Sequence, residues 1–178
     1  MTAQGDNRPG ELHLFAGRVE EDWIDYNGHM TEFRYLYVFG ETTDRFLEHV
    51  GIDLRLASQG TYYTLESHVR HLKETLQGRA FTTHTDLLGY DEKRIHLLHK
   101  FVVDGHVHAT GEHLCLHVIA SRPCAAEGAV LDRLSGLFDA QRHHPVPARC
   151  GSVLTKALRY SRPAITEDFH LRSEVVQS

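Results

Sequence analysis

The chain has 178 residues, of which 41% are hydrophobic and 24% charged. That composition suits one globular domain of roughly 100 to 200 residues and excludes both a disordered chain and a disulfide-dense miniprotein. A formal net charge of −5 removes the basic surface that non-specific nucleic-acid binding needs.

Leu12 to Val19 alternates apolar and other residues and is read as a strand. A turn-rich segment follows, Trp23-Ile24-Asp25-Tyr26-Asn27-Gly28-His29. From Thr31 the period changes: Phe33, Leu36, Tyr37, Gly40, Phe46, Leu47 and Val50 fall at helical spacing, and Gly51 is a natural stop. Such a helix spans about 30 Å, long enough to be the centre of the fold. Four strands are expected next, Tyr62 to Lys73, Phe81 to Leu88, Arg94 to Val103 and Val107 to Val118, with short connections that favour antiparallel hairpins. In the first, Tyr63, Leu65 and Val69 are expected on one face and Tyr62, Thr64, Glu66, His68 and Arg70 on the other. In the last, Leu114, Leu116 and Val118 oppose His113, Cys115 and His117. Val130, Leu131, Leu134, Leu137 and Phe138 make the stripe of a second helix around Glu127 to Arg142. The order implies an α+β domain over residues 12–142, with a flexible leader at 1–11 and a C-terminal extension at 143–178 that is loosely structured or packs on a neighbouring subunit. One helix covers one face of the sheet, so a homodimer or homotetramer is the simplest way to cover the rest.

No stretch approaches the roughly 20 apolar residues of a membrane span, and the first ten residues do not read as a signal peptide, so a cytoplasmic protein without membrane contact is expected. Cys115, Cys124 and Cys150 show no CxxC spacing and read as reduced thiols. The 15 histidines are unusual. None joins a carboxylate at metal-ligand spacing, so no metal is expected.

The segment with most chemical content is WIDYNGHMTEFRYLYVF, residues 23–39. Asp25 stands close to a helix N-terminus, where unpaired backbone N–H groups can face a ligand. A carboxylate can attack a carbonyl or activate water, and N–H donors can stabilise the oxyanion that develops. The same Asp could serve only as a turn or helix cap, Gly28 could supply only a positive φ, and His29 could only orient the loop.

Asp25, Gly28, His29, Met30, Arg34, Tyr35 and Leu36 resemble the pattern of the hotdog-fold acyl-CoA thioesterases of the 4-hydroxybenzoyl-CoA thioesterase type. Thr31 and Glu32 stand where that pattern has Asn-Asn. Two longer strings, DWIDYNGHMTEFRYLYVFGETTD and GTYYTLESHVRHL, resemble the betainyl-CoA thioesterases of carnitine breakdown and the thioesterase domain fused to some carnitine dehydrogenases. The resemblance implies an antiparallel sheet wrapped around one long central helix. It also implies hydrolysis of a short acyl-CoA, best betainyl-CoA, with Asp25 as nucleophile or general base and backbone N–H groups around Thr31 and Glu32 as oxyanion donors. No cofactor is implied, because CoA arrives within the substrate. A trimethylammonium is held by aromatic faces with help from a carboxylate, and Trp23, Tyr26, Asn27, Tyr62, Tyr63 and Glu66 are the candidate binding residues. Arg70 and Arg94, with Lys73, Arg79 and Lys93, are the candidate contacts for CoA phosphates. Two other readings stay open at this point: a hotdog enoyl-CoA hydratase or dehydratase, and a non-catalytic acyl-CoA-binding protein.

Overall fold

The structure is a computed structural model that describes residues 10–144 except 57 and 59. Residues 1–9 of the expected leader and 145–178 of the expected extension lie outside the described residues. The elements in chain order are β1 (Leu12–Arg18), a 3-10 turn (Glu21–Trp23), α1 (Glu32–His49), β2 (Thr61–His71), β3 (Ala80–Tyr90), β4 (Arg94–Val103), β5 (His106–Ile119), β6 (Arg122–Pro123) and α2 (Gly128–Ala140). All strand pairings are antiparallel, in the order β1-β3-β4-β5-β2, with the short β6 on β5. The α+β expectation therefore holds, and each expected helix and strand is present.

The sheet packs one face on α1. Phe46 and Leu47 of α1 share a cluster with Leu87, Ile95, Leu97 and Cys115, and α2 adds Val130, Leu134 and Phe138. Tyr35, Val38 and Phe39, from the N-terminal half of α1, share a second cluster with Trp23, Met30, Phe81 and Phe101. The contact is close: a Cβ on Gly111 would stand 2.5 Å from the Phe39 ring. A larger residue there would push the helix off the sheet.

The faces of one strand, β2, differ from expectation. A β-bulge between Thr64 and Glu66 shifts the register of β2 against β5. One extra residue reverses the alternation, so Tyr62 and Thr64 pair with His117 and Cys115, while Glu66, His68 and Arg70 pair with Leu114, Glu112 and Thr110. Glu66 thus lies on the opposite face from Tyr62. In β5 the alternation is as expected, and the set facing α1 is the polar one, His113, Cys115 and His117. The outer face carries paired charges: Lys100 Nζ and His144 Nδ1 each stand 2.6 Å from the buried Asp86 carboxylate.

Beneath α1 most buried polar groups are matched, the exception among the histidines being His113 Nε2, which lacks a hydrogen-bond partner among the described residues. His99 lies between the hydroxyls of Thr43 and Thr85, at 3.0 and 2.9 Å, and His113 Nδ1 meets the Ser67 hydroxyl at 2.9 Å. Burial pushes both imidazoles down, His113 to about 4 and His99 well below its ordinary value, so the folded state holds them neutral. The unfolded chain protonates them from about pH 6.5 downward. Their contribution to stability is therefore complete above that pH and is lost as the pH falls toward 4. The thermal midpoint should drop steadily across this window, and His113→Leu should reduce the proton uptake on unfolding by about one. Melting curves from pH 7 to pH 4.5 check both; an unchanged slope in the variant would contradict this account.

Candidate active site

The turn before α1 is built from backbone hydrogen bonds that hold Asp25 at its crest. Thr31 N–H donates to Trp23 O at 2.9 Å, Met30 N–H to Thr75 O at 2.8 Å, and Asp25 N–H to His29 O at 2.9 Å. Gly28 takes φ +82°, which L residues rarely adopt, and its N–H returns to Asp25 O at 3.0 Å. The Asp25 carboxylate accepts the Asn27 N–H at 2.8 Å, an Asx turn. Its capping role is thus present, and Oδ2 has only a 3.5 Å contact with the Asn27 amide.

Asp25, His29, Met30, Glu32 and Tyr35 line one wall of a cavity of about 330 Å³, and His71, Leu72, Lys73 and Glu74 line the other. His29 Nε2 stands 2.9 Å from Glu74 Oε2 and ties the walls together. Behind them Tyr35 donates its hydroxyl proton to Thr75 Oγ1 at 3.0 Å, and Thr75 Oγ1 meets His108 Nδ1 at 2.9 Å. The floor of the cavity is thereby fixed to both α1 and β5 through Thr75 in the segment after β2. Glu32 is the first residue of α1, so its N–H has no acceptor within the helix. The Thr31 N–H is already donated to Trp23 O. Of the two expected oxyanion donors, the Thr31 N–H is therefore committed to the turn, and Glu32 is the one that lines the cavity.

The aromatic residues expected to form a cation cage do not meet within one subunit. Trp23 is buried against Phe81 and Tyr37, with the Arg34 guanidinium 5.5 Å from its ring centre. Tyr62 is buried in the cluster around the C-terminal half of α1, its ring 5.0 Å from His117. Burial raises its phenol pKa, and its hydroxyl lacks a hydrogen-bond partner among the described residues. Tyr63 is half exposed on the other face of β2, and Tyr26 is 97% exposed at the tip of the turn. Asn27 backs the Asp25 turn. Glu66 and Arg70 are exposed, and Arg94 is held by Asp91 with Nε 2.8 Å from Oδ2. Sequence reasoning missed His71, the last residue of β2, and Glu74 just beyond it, which reach the site only through the fold. Cys115 is fully buried and its thiol is pushed up to about 11, which suits packing and not nucleophilic attack.

A larger cleft of about 850 Å³ lies between the β3–β4 hairpin and α2, lined by Leu65, Tyr90, Asp91, Arg94, Leu116 and Leu131 among others. Its Asp91 carboxylate accepts the backbone N–H groups of Lys93 and Arg94 as well as the Arg94 guanidinium. That acid is consumed by the hairpin, so the smaller cavity, with the less engaged Asp25, is the candidate active site.

The two functions of Asp25 separate by mutation. Asn keeps an acceptor for the Asn27 N–H and Ala does not, so Asp25→Ala should cost about 1 kcal/mol of stability and Asp25→Asn less than about 0.5 kcal/mol. Denaturant melts of the two variants check this ordering.

Comparison with known proteins agrees with the geometry. Residues 19–149 match the thioesterase-like superfamily. The chain is 46% identical over 145 residues to an L-carnitine dehydrogenase/betainyl-CoA thioesterase of Agrobacterium fabrum, an alignment covering 79% of this chain and 30% of that protein. It thus spans about a third or less of the length of such fused relatives. It is also 40% identical over 149 residues to a betainyl-CoA thioesterase of Pseudomonas aeruginosa, covering 80% of this chain and 94% of that one. Among solved structures, a Pseudomonas putida protein provisionally assigned as a thioesterase aligns with TM-score 0.70 and 32% identity, over 79% of this chain and 94% of that one. A Staphylococcus aureus protein solved in complex with CoA shares the fold, with TM-score 0.73 and 24% identity over 80% and 94% of the two chains. With a sheet closed around α1 and an acid poised at the helix entrance, the chain belongs to the thioesterase-like superfamily of hotdog proteins.

Proposed function

We propose that this chain hydrolyses an acyl-CoA thioester, and that betainyl-CoA is its substrate, giving glycine betaine and free CoA. The observation that carries this reading is the Asp25 carboxylate on a backbone-locked turn beside the first N–H of α1, in one small cavity. Asp25 attacks the thioester carbonyl carbon, or removes a proton from the water that does so. The Glu32 N–H receives the developing oxyanion. Collapse of the tetrahedral centre breaks the C–S bond and CoA leaves as a thiolate; on the general-base path it takes the proton that Asp25 removed from water, and on the nucleophilic path water then hydrolyses the mixed anhydride left on Asp25, releasing betaine and the proton that the thiolate takes up. The names of the relatives support the betainyl group, and so does the charge of the cavity. Asp25, Glu32 and Glu74 place three carboxylates around it against the one lysine, Lys73, a setting that favours a trimethylammonium over a neutral or anionic acyl group.

The subunit pairs with a second copy in this reading. Among the described residues β2 is an edge strand with most of its length exposed. Phe33, Leu36 and Tyr37 of α1 and Tyr63 and Leu65 of β2 are large apolar side chains at or above 46% exposure. Unpaired strand edges with apolar flanks are the usual sites of strand addition. Pairing two copies antiparallel through β2 sets the His71 end of one strand beside the Thr61 end of the other. That arrangement brings Tyr63 of the partner subunit toward the cavity and supplies the aromatic face that a single subunit lacks. No helix among the described residues is long and apolar enough to cross a membrane.

The substrate test compares betainyl-CoA with 3,3-dimethylbutanoyl-CoA, its neutral isostere, by thiol release. We expect kcat/KM at least about tenfold higher for the cation, equivalent to about 1.4 kcal/mol. Glu74→Gln should shrink that ratio severalfold while leaving the neutral ester nearly unchanged. Equal rates for the two esters would remove betaine from the proposal, and absence of thiol release from any ester would remove hydrolysis itself.

A further inference from the structure

The antiparallel register of β1 and β3 sets His13 directly opposite His84. Their rings approach to 4.0 Å between centroids. Glu11, just before β1, turns its carboxylate onto the same pair: Oε1 stands 2.8 Å from His84 Nδ1 and Oε2 3.7 Å from His13 Nε2. One ligand atom from each of the three residues lies within 4.8 Å of the others. Glu11 is thus within ion-pair distance of both imidazoles, and two imidazoles converging on one carboxylate are also the donor set of a transition-metal site. We infer that Glu11, His13 and His84 form a binding site for a divalent transition-metal ion, Zn²⁺ being the ion their chemistry selects.

The distances fit that ion. With bonds of about 2.0 to 2.1 Å, neighbouring ligand atoms of a tetrahedral Zn²⁺ shell are about 3.3 Å apart, and the contacts of 2.8 and 3.7 Å bracket this value. Closing the shell moves these two contacts by about half an ångström each and draws the two imidazole nitrogens, within 4.8 Å of one another, toward the same spacing. Two imidazoles and one carboxylate suit Zn²⁺, whereas Mg²⁺ and Ca²⁺ require oxygen ligands. The His13 side chain is 44% exposed, which leaves the fourth position to water.

The site is separate from the Asp25 cavity. Thr83 and Thr85, on either side of His84, bond to Thr42 and His99 beneath α1, so His84 lies on the outer face of the sheet. Leu12 and Leu14, on either side of His13, pack into the cluster that includes the C-terminal half of α1, whereas Asp25 precedes its N-terminus. A bound ion clips the edge strand β1 to β3 and takes no part in hydrolysis.

The test titrates the full chain with Zn²⁺ by calorimetry and with Co²⁺ as a spectroscopic probe. Because the chain has 15 histidines, the decision rests on variants. Glu11→Gln and His13→Gln replace partly exposed side chains, and circular dichroism confirms their fold; His84→Gln completes the set. We expect one tight equivalent in the wild type, weakened at least about tenfold by each single change and about 100-fold or more by His13→Gln with His84→Gln. Zn²⁺ should raise the thermal midpoint of the wild type and not of the double variant, and the intense visible bands of low-coordinate Co²⁺ should vanish with the same changes. Absence of a tight equivalent in the wild type, or equal Zn²⁺ affinity in wild type and variants, would overturn the site.

Discussion

The contact on which the remaining structure depends is the seating of α1 in the curve of the sheet. A sheet of five long strands has one helix to bury along its centre, so the helix must approach closely and stay in one register. Gly111 gives the Phe39 ring its space, and the bonds of Thr42 to Thr83 and of Thr43 to His99 are ones that a slipped helix would lose. Each mismatch would leave a buried polar group unpaired, at about 1 to 3 kcal/mol. The N-terminus of α1 is therefore fixed relative to the end of β2, and the turn from Trp23 to Thr31 is stretched between them by backbone hydrogen bonds. Asp25 owes its position to this frame more than to its own interactions.

The legible part of the sequence is the part governed by local period. The helix expected from Thr31 to Val50 occupies Glu32–His49, and the strands lie within a few residues of their expected bounds. Asp25, Gly28 and His29 could be singled out because a turn and a helix start are local features. What escaped was set by register. The bulge at residue 65 separated Tyr62 from Glu66, and no local signal announces a bulge of that kind. Glu74 joins His29 across the cavity from the end of another strand, and Glu11, His13 and His84 converge from positions 71 residues apart in their widest adjacent step. The aromatic residues near the motif have a similar lesson: Trp23 was near Asp25 in sequence but is spent on the core beneath α1.

The exposed apolar side chains and the incomplete cation site describe one situation from two sides. Tyr63 and Leu65 on β2 and Phe33 and Tyr37 on α1 are too large and too close together in the chain to be ordinary surface residues. The Asp25 cavity has carboxylates but no Phe, Tyr or Trp beyond Tyr35 among its lining residues. In the proposed function, recognition of a trimethylammonium would divide its parts: charge and chemistry from the turn and the helix start, and the aromatic face from a second copy. The buried histidines belong to a different economy, holding the helix in register and setting the acid limit of the fold.

The central claim is that the acid at the entrance to α1 performs the chemistry. The most direct measurement is the steady-state rate of betainyl-CoA cleavage by Asp25→Asn, read as thiol release at a temperature where the variant is folded. The account predicts a loss of at least about 100-fold in kcat with little change in KM, since the change removes a proton acceptor or nucleophile and leaves the turn in place. Turnover within threefold of the wild type would contradict it.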